Sequence, residues 1–449
     1  MSKQRIQLSD HFTYSRLLRF VLPCIGTMLF TSIYGIVDGL CVSNFVGKTA
    51  FAAVNLIMPL PMLLGTIGFM LGTGGSAIVG ITLGEGDQKK ADRYFTLFLL
   101  AALVSVSVLA VLGIVFLRPI AVLLGAKGEL LDYAVRYGRI LMVSLPTFAL
   151  QNMFQSFFVT AEKPHLGFWF TVGAGCTNMV LDVLMVGIWG WGVEGAAIAP
   201  FISQLVGGVL PVFYFIDRSN SSRLHLCKTS FYSKVLRDAC INGSSELMTN
   251  LSMSLVNILY NYQLLRLAGE NGVAAYGVIM YAAFLFVAVF VGYAVGSAPI
   301  VSFHYGARNH TEVHNLYRKS LRLIAVVAVT LTLASMFIIP CVARIFVGYD
   351  AELLALTSRA FRLYALSFLI MGFNVYASSF FTALGDGVTS ALISFLRTLA
   401  FQVIAILLLP LLLGIDGIWL AVTAAELAAL AVSAAMLLAK DKVFHYRKA

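Results

Sequence analysis

Charge is scarce in this chain. Asp, Glu, Lys and Arg supply only 12% of its 449 residues, against roughly a quarter in a soluble globular domain. That scarcity excludes a soluble enzyme and a disordered chain. No CxxC pair occurs among the six cysteines (Cys24, Cys41, Cys176, Cys227, Cys240, Cys341), which read as packing residues, not bridges or metal ligands. The chain has no GxxxxGK[ST] run to cradle ATP and no GxSxG or HExxH for hydrolysis. Gly72-Thr73-Gly74-Gly75-Ser76 has no lysine after it and lies inside an apolar run, so close helix packing explains it. All seven histidines fall in loops or at the edges of apolar runs, which leaves an intramembrane enzyme little to work with. The polar start runs into an apolar stretch that continues past Pro23 without an A-x-A site, so no cleavable signal peptide is expected.

What the chain has is apolar length. Hydrophobic residues make up 59% and the mean hydropathy is +0.89. Apolar runs fall near 16–38, 50–82, 94–117, 133–158, 166–190, 193–216, 235–265, 272–304, 317–340, 355–381, 387–410 and 414–438. At about 20 residues per bilayer crossing, these predict an all-α membrane protein of twelve transmembrane helices. Charge placement tests that number. With both termini on the cytoplasmic side, 21 of the 31 Lys and Arg lie on the inner face and only Lys48, Arg118, Lys127, Arg266 and Arg344 lie in opposite loops. Lys3, Arg5 and Lys448 belong to the inner set. The net charge of +10 thus follows the positive-inside pattern, and nucleic acid is not an expected partner. Trp189, Trp191 and Trp419 are expected at the outer interface and Trp169 at the inner one.

The chain also repeats itself. A shift of 222 residues aligns Val46-Gly47-Lys48-Thr49-Ala50-Phe51-Ala52-Ala53 with Ala268-Gly269-Glu270-Asn271-Gly272-Val273-Ala274-Ala275. The same shift pairs Asn152…Thr160-Ala161 with Asn374…Thr382-Ala383, and Gly192-Val193-Glu194-Gly195 with Gly414-Ile415-Asp416-Gly417. Six helices separate the copies, so both have the same orientation: a parallel repeat of two six-helix bundles. The expected organisation is an N-terminal lobe over 1–216, a cytoplasmic linker over 217–234 and a C-terminal lobe over 235–449.

A charge inside a span costs at least a few kcal/mol, so buried carboxylates are functional candidates. Asp38 and Asp182 lie late in the first and fifth helices at the same expected depth, and the shift replaces them by Tyr260 and Ile404. Asn178, one turn before Asp182, is placed to support a carboxylate or a bound cation. Two carboxylates in one apolar pocket suit proton or sodium binding. The competing reading is that each aspartate merely caps a helix end. Glu246, Arg397 and Glu426 form a second charged set, readable either as a buried Arg397–Glu426 pair or as cavity groups for a cationic substrate. Tyr34, Gln151, Asn152 and Gln155 join Glu246 and Glu426 as cavity candidates. Pro23 is expected to break the first helix, and Pro59 with Pro61 the second.

Val37-Asp38-Gly39 with Asn44-Phe45-Val46-Gly47, and Asn178-Met-Val-Leu-Asp182 followed by Gly192-Val193-Glu194-Gly195-Ala196-Ala197-Ile198-Ala199, resemble the signatures of the multidrug and toxic compound extrusion (MATE) family, most closely its bacterial MepA-like branch. The resemblance covers nearly the whole chain. It implies a secondary antiporter of the bacterial cytoplasmic membrane, driven by protons or sodium, that exports small organic cations by alternating access and needs no cofactor beyond the coupling ion. A monomer in the lipid bilayer is expected. Carried over by residue, the family's cation site falls on Asp38, Asn178 and Asp182, with the first-helix bend at Pro23; the family's C-lobe acid corresponds to Glu246. A threonine that often contributes a hydroxyl to that site is Pro200 here, which favours protons over sodium. The alternatives are a flippase for lipid-linked saccharides, which would need a more cationic cavity, and a passive channel.

Overall fold

The computed structural model describes residues 6–46, 48–348 and 350–447. Gly47 of the repeated loop and Lys3, Arg5 and Lys448 of the basic face lie outside the described residues, as do the side chains of Cys41 and Lys48.

No strand occurs among the described residues. The N-terminal lobe runs through α1 (Tyr14–Phe45), α2 (Lys48–Ile57), α3 (Pro59–Gly84), α4 (Gln88–Leu123), α5 (Glu129–Thr160), α6 (Pro164–Leu181), α7 (Gly192–Gln204) and α8 (Leu210–Ile216). The C-terminal lobe follows with α9 (Ser233–Asn242), α10 (Ser244–Gly306), α11 (His310–Val347), α12 (Ala351–Ala365), α13 (Phe368–Ala383), α14 (Gly387–Phe395), α15 (Phe401–Leu413), α16 (Ile415–Ala439) and α17 (Asp441–Phe444). Short π-helical segments interrupt three spans: Asp182–Ile188 after α6, Leu205–Val209 between α7 and α8, and Leu396–Ala400 between α14 and α15.

These elements make twelve crossings. Pro59 and Pro61 fit only at a helix start, so the second span breaks at Met58 into α2 and α3. The tenth span bends by 46° between α12 and α13. α10 holds two spans. Its turning point is Gly269, at φ 61° and ψ −151°, which an L side chain resists. The chain doubles back there: the Tyr276 hydroxyl donates to Asn257 Oδ1 at 2.7 Å, and the rings of Tyr260 and Tyr276 stack at 4.9 Å. α5 carries Arg136, Arg139, Gln151, Asn152 and Gln155, so it is the most polar of the long helices, yet it packs along α3 and α4 as a full crossing.

The repeat survives in geometry. Gly192 and Gly414 share φ near 57° and 58°. Asp87 caps α4 through Lys90 N–H at 3.0 Å, and Asn309 caps α11 through Glu312 N–H at 3.1 Å. Arg136–Glu194 and Arg359–Asp416 are ion pairs one residue out of register.

Glycines let backbones touch where the lobes meet, near both chain termini. A methyl at Gly74 would collide with Ala239 and Gly243, one at Gly243 with Met70, and one at Gly84 with Phe303. This fits the packing role read from Gly72–Ser76. A strap before α1 tightens the same end. Leu8 N–H donates to Glu162 at 2.9 Å, Phe12 N–H to Glu312 at 2.9 Å, and His11 Nδ1 meets Glu312 at 2.6 Å. Lys319 and Asn315 donate to the Phe12 carbonyl, and Arg223 of the linker pairs with Glu162 at 2.6 Å.

Three expectations change. The first helix continues to Phe45, seven residues past its expected end, and it is not broken at Pro23. The Pro23 carbonyl accepts from Thr27 Oγ1 at 2.9 Å within an unbroken α1. The seventh run, expected from 235, is split at Gly243: α9 lies on α3 with Ala239 inward and Lys234 and Arg237 exposed, and the span begins at Ser244. Trp419 is 1% exposed within the C-terminal lobe and is no interface anchor, whereas Trp169, Trp189 and Trp191 are exposed as a belt requires.

Candidate functional site

α1 and the π segment after α6 bring Asp38 and Asp182 together. The two carboxyl groups lie side by side, although they are 144 positions apart. Neither caps a helix end: α1 runs on past Asp38, and Asp182 opens a π segment whose wide turn lets its carboxylate point inward. Asp182 is fully buried and Asn178 nearly so. Asp38 Oδ1, both Asp182 oxygens and both Asn178 side-chain polar atoms are shielded and have no hydrogen-bond partner among the described residues beyond the contact of the two carboxyl groups with each other. The Asn178 side chain therefore sits at the site without bonding the Asp182 carboxyl, although the Asp182 N–H donates to the Asn178 carbonyl. Buried polar atoms are normally paired, and two carboxyl groups and an amide with no partner outside their own cluster form a cage of oxygen and amide groups suited to a proton or a small monovalent cation. Two adjacent carboxylates need such a positive charge between them.

Tyr34 and Tyr137 complete the walls. Tyr34 lies one turn before Asp38 on α1 and close to it. Tyr137 of α5 lies close to both aspartates and points its hydroxyl at Met58 Sδ, 3.6 Å away at the break in the second span. Tyr137 was missed in the sequence because tyrosines near span ends look like interface residues; its place one residue after Arg136 gives no signal. No group of three or more His, Cys, Asp or Glu suited to a metal ion occurs among the described residues. One turn after Pro200, Ser203 spends its hydroxyl on the Ala174 carbonyl at 2.8 Å.

The remaining candidates separate. Gln151 is buried and packs against Gly207 and Gly208 within the N-terminal lobe. Asn152 is also buried, with Nδ2 unbonded. Gln155 lines a small cavity beside Cys24, Thr27 and Val295, next to the Pro23 turn. Glu426 is fully buried and paired with Arg397, whose Nε donates to both carboxylate oxygens at 2.8 and 3.1 Å. Asn374 Nδ2 donates to Glu426 Oε2 at 2.7 Å and to its carbonyl at 2.9 Å, and Ser433 donates to Asn374 Oδ1 at 2.9 Å. The structural reading of Arg397–Glu426 is therefore the right one for Glu426. Glu246, in the first turn of α10, is half-buried and lies within the field of Arg397.

Comparisons with known proteins agree with the two-lobe fold. The MatE family profile matches residues 23–184 and 247–408, one copy in each lobe. The multidrug export protein MepA of Staphylococcus saprophyticus is 20% identical over 436 residues, covering 96% of this chain and 95% of its own. MepA of Staphylococcus aureus is 21% identical over 433 residues, with the same coverage of each chain. A solved multidrug resistance MATE family transporter in an outward-facing conformation superposes with a TM-score of 0.91 at 22% identity, covering 100% of both chains. With two family repeats spanning most of the chain on a twelve-span, two-lobe fold, the protein belongs to the MatE family of secondary transporters and is not an enzyme.

Proposed function

We propose that this protein is a proton-coupled antiporter that exports small organic cations across the bacterial cytoplasmic membrane, as a monomer, with both termini in the cytoplasm and the coupling site on Asp38, Asn178 and Asp182. The observation that carries the reading is the buried pair of facing carboxyl groups between α1 and the π segment, with Asn178 beside it and no partner from outside the cluster. The closed seam and strap at the terminal end are what an outward-open state requires. In that state a proton enters at Asp38 and Asp182, the neutralised pair changes how α1 seats against α6, the organic cation leaves outside, and the lobes rock to open inward. A proton can drive that step only by binding the two states with different affinity. Pro23, unbroken here, is the position at which α1 lacks a ladder hydrogen bond and bends most cheaply. The lost hydroxyl at Pro200 and the occupied hydroxyl of Ser203 favour protons over sodium.

The test is substrate-driven proton movement. Purified protein in liposomes with an internal pH dye is challenged with ethidium at fixed sodium. A pH change in the wild type that is absent in Asp182→Asn supports the reading. Sodium-dependent transport without a pH change replaces protons by sodium. No ethidium transport at all turns the assignment toward a flippase of lipid-linked saccharides, the alternative within this architecture.

A further inference from the structure

The segment that joins the lobes rests on the wall of the protein at the depth of the inner membrane surface. Three contacts fix its place. Thr229 Oγ1 donates to the Arg93 carbonyl at 2.8 Å, the Tyr232 ring meets Tyr94 edge-on at 5.5 Å, and a methyl at Gly74 of α3 would collide with Ala239 and Gly243 at the far end of α9. Tyr94 lies about 9 Å from the start of α4, where the charged first turns give way to the apolar span. Gly74 lies about 15 Å from the inner end of α3. α9 thus runs obliquely across the boundary between headgroups and hydrocarbon. Its outer face looks sideways into the bilayer. On one side Arg93 heads the exposed stripe of α4 that continues through Leu100, Val104, Val108 and Val111; on the other, Gly387 of α14 touches Ile241 and Asn242 beside exposed Val388.

That face has the make-up of a membrane-surface helix. Lys234, Arg237 and Ile241 follow one another at helical spacing, with Phe231 one turn before them, and all four are exposed while Ala239 and Asn242 turn inward. Residues 87–93 and 228–238 bring six Lys and Arg together against three Asp. Asp87 and Asp92 are taken up by backbone N–H groups, of Lys90 at 3.0 Å and His225 at 3.0 Å, and Asp238 pairs with Arg237 at 3.2 Å. Lys89, Arg93, Lys228 and Lys234 have no ion-pair partner among the described residues. The positive-inside pattern accounts for bases on this side. It does not account for the exposed Phe231 and Ile241 that flank them, which suit acyl chains at an interface.

We infer that α9 and the start of α4 form a binding site for an anionic phospholipid of the inner leaflet, with the bases around Arg93 and Lys234 holding the headgroup and Phe231 and Ile241 lying against the acyl chains. The excess of positive charge selects an anionic headgroup over a zwitterionic one. The depth of α9 and its two exposed apolar side chains select a lipid over a soluble phosphate. On its buried side α9 is wedged between the lobes: Asn242 Nδ2 donates to the Thr382 carbonyl of α13 at 2.9 Å, and Gly74 of α3 presses on Ala239 and Gly243. A lipid bound here holds the inner end of the lobe seam from outside, whatever the protein exports.

Two labelled lipids test it. Purified protein in a neutral detergent is titrated with phosphatidylglycerol carrying a fluorescent NBD acyl chain and, separately, with phosphatidylcholine carrying the same chain. Wild type should bind the anionic lipid about tenfold more tightly. Lys234→Gln with Arg237→Gln, two surface changes, should abolish that preference. Arg318→Gln with Lys442→Gln removes two exposed bases from the inner face elsewhere and should leave the anionic-lipid affinity within about twofold. Should the α9 variant melt below wild type, Arg93→Gln with Lys228→Gln probes the same site from α4 and the joining segment. Excess inorganic phosphate should not displace the lipid. Equal affinity of wild type for both lipids, equal loss in the α9 variant and the control, an unchanged preference in a folded α9 variant, or displacement by inorganic phosphate overturns the site.

Discussion

The two lobes follow the same path through the membrane and treat one pair of corresponding buried positions in opposite ways. In the C-terminal lobe Asn374 bonds Glu426, Ser433 bonds Asn374, and Arg397 neutralises the acid. The 222 shift places Asn152 and Gln204 at the positions of Asn374 and Glu426, and there Asn152 Nδ2 and Gln204 Oε1 are both buried and unbonded. Asp38, Asn178 and Asp182 extend the same deficit toward the far end of the lobe. At these positions one lobe holds its amide and acid in a bonded network and the other leaves the corresponding polar groups without a bond, although each lobe has further buried side-chain atoms without a partner. A fully satisfied buried network rigidifies, whereas an unsatisfied one is the place where a proton or ion changes the energy most. The contrast assigns stability to the C-lobe charges and coupling to the N-lobe ones.

The sharpest way to break that contrast is to neutralise one acid in each lobe. Glu426→Gln leaves Arg397 buried and uncompensated, which should cost about 3–5 kcal/mol and appear as a large drop in thermal stability of the purified protein. Asp182→Asn removes one of two facing carboxyl groups that have no cation between them, so its melting temperature should hold or rise while coupled export disappears. If Asp182→Asn melts as badly as Glu426→Gln, the division of labour between the lobes is wrong.

That division was only partly legible in the sequence. Asp38 and Asp182 stood out because carboxylates inside apolar runs are rare and both disappear under the 222 shift, and the equal-depth reading holds because two helices of known rise put them level. Glu426 and Arg397 were equally visible, but spacing alone could not tell a satisfied pair from a cavity group. Tyr137, the role of Gln151 as packing against Gly207, and the burial of Trp419 depend on which face of a helix meets which neighbour. In a chain whose helices are apolar all round, the usual polar-face signal is missing. The break at Gly243 was legible: α9 carries Lys234, Arg237 and Asp238 and is far more polar than the span after it, so the seventh run was started too early.

A smaller difference should separate the two asparagines. Asn374→Ala removes the donor to Glu426 and strands Ser433, which should cost about 1–3 kcal/mol. Asn152→Ala removes a side chain whose amide bonds nothing, and should stay within about 0.5 kcal/mol in the same denaturation assay. Equal costs would mean that Asn152 has a bonding state absent from this conformation.

The strap asks whether the lobes are held symmetrically. Glu162 of the N-terminal lobe and Glu312 of the C-terminal lobe each accept one strap N–H. With a cysteine at Leu8, which is fully buried, Glu162→Ala and Glu312→Ala should each raise labelling by an aqueous maleimide by about tenfold, the equivalent of about 1.4 kcal/mol. Faster labelling in only one variant would show that a single lobe carries the closure.

The smallest expected effect lies at the start of two corresponding helices. α6 begins with Pro164 and has no side-chain cap, whereas α14 is capped by Asp386, which accepts from Thr389 N–H at 3.2 Å and from its hydroxyl at 2.7 Å and pairs with Lys440 at 2.8 Å. Burial pushes the Asp386 carboxyl up, but Lys440 and the Thr389 donors outweigh it and hold the group below the usual carboxylate value. A carboxyl lowered on folding stabilises above its unfolded value of about 3.9 and loses that contribution as pH falls through the folded value. Acid should therefore loosen the start of α14 and leave α6 untouched. Asp386→Asn keeps a capping side chain and removes the titration, so at neutral pH it should cost only about 0–1 kcal/mol, the worth of a half-exposed ion pair. As pH falls from the ordinary carboxylate value through the lowered folded value, the stability gap between wild type and Asp386→Asn should close. A gap that persists at low pH would mean that Lys440 and the carboxylate charge contribute nothing, and that the cap geometry alone distinguishes this lobe from its partner.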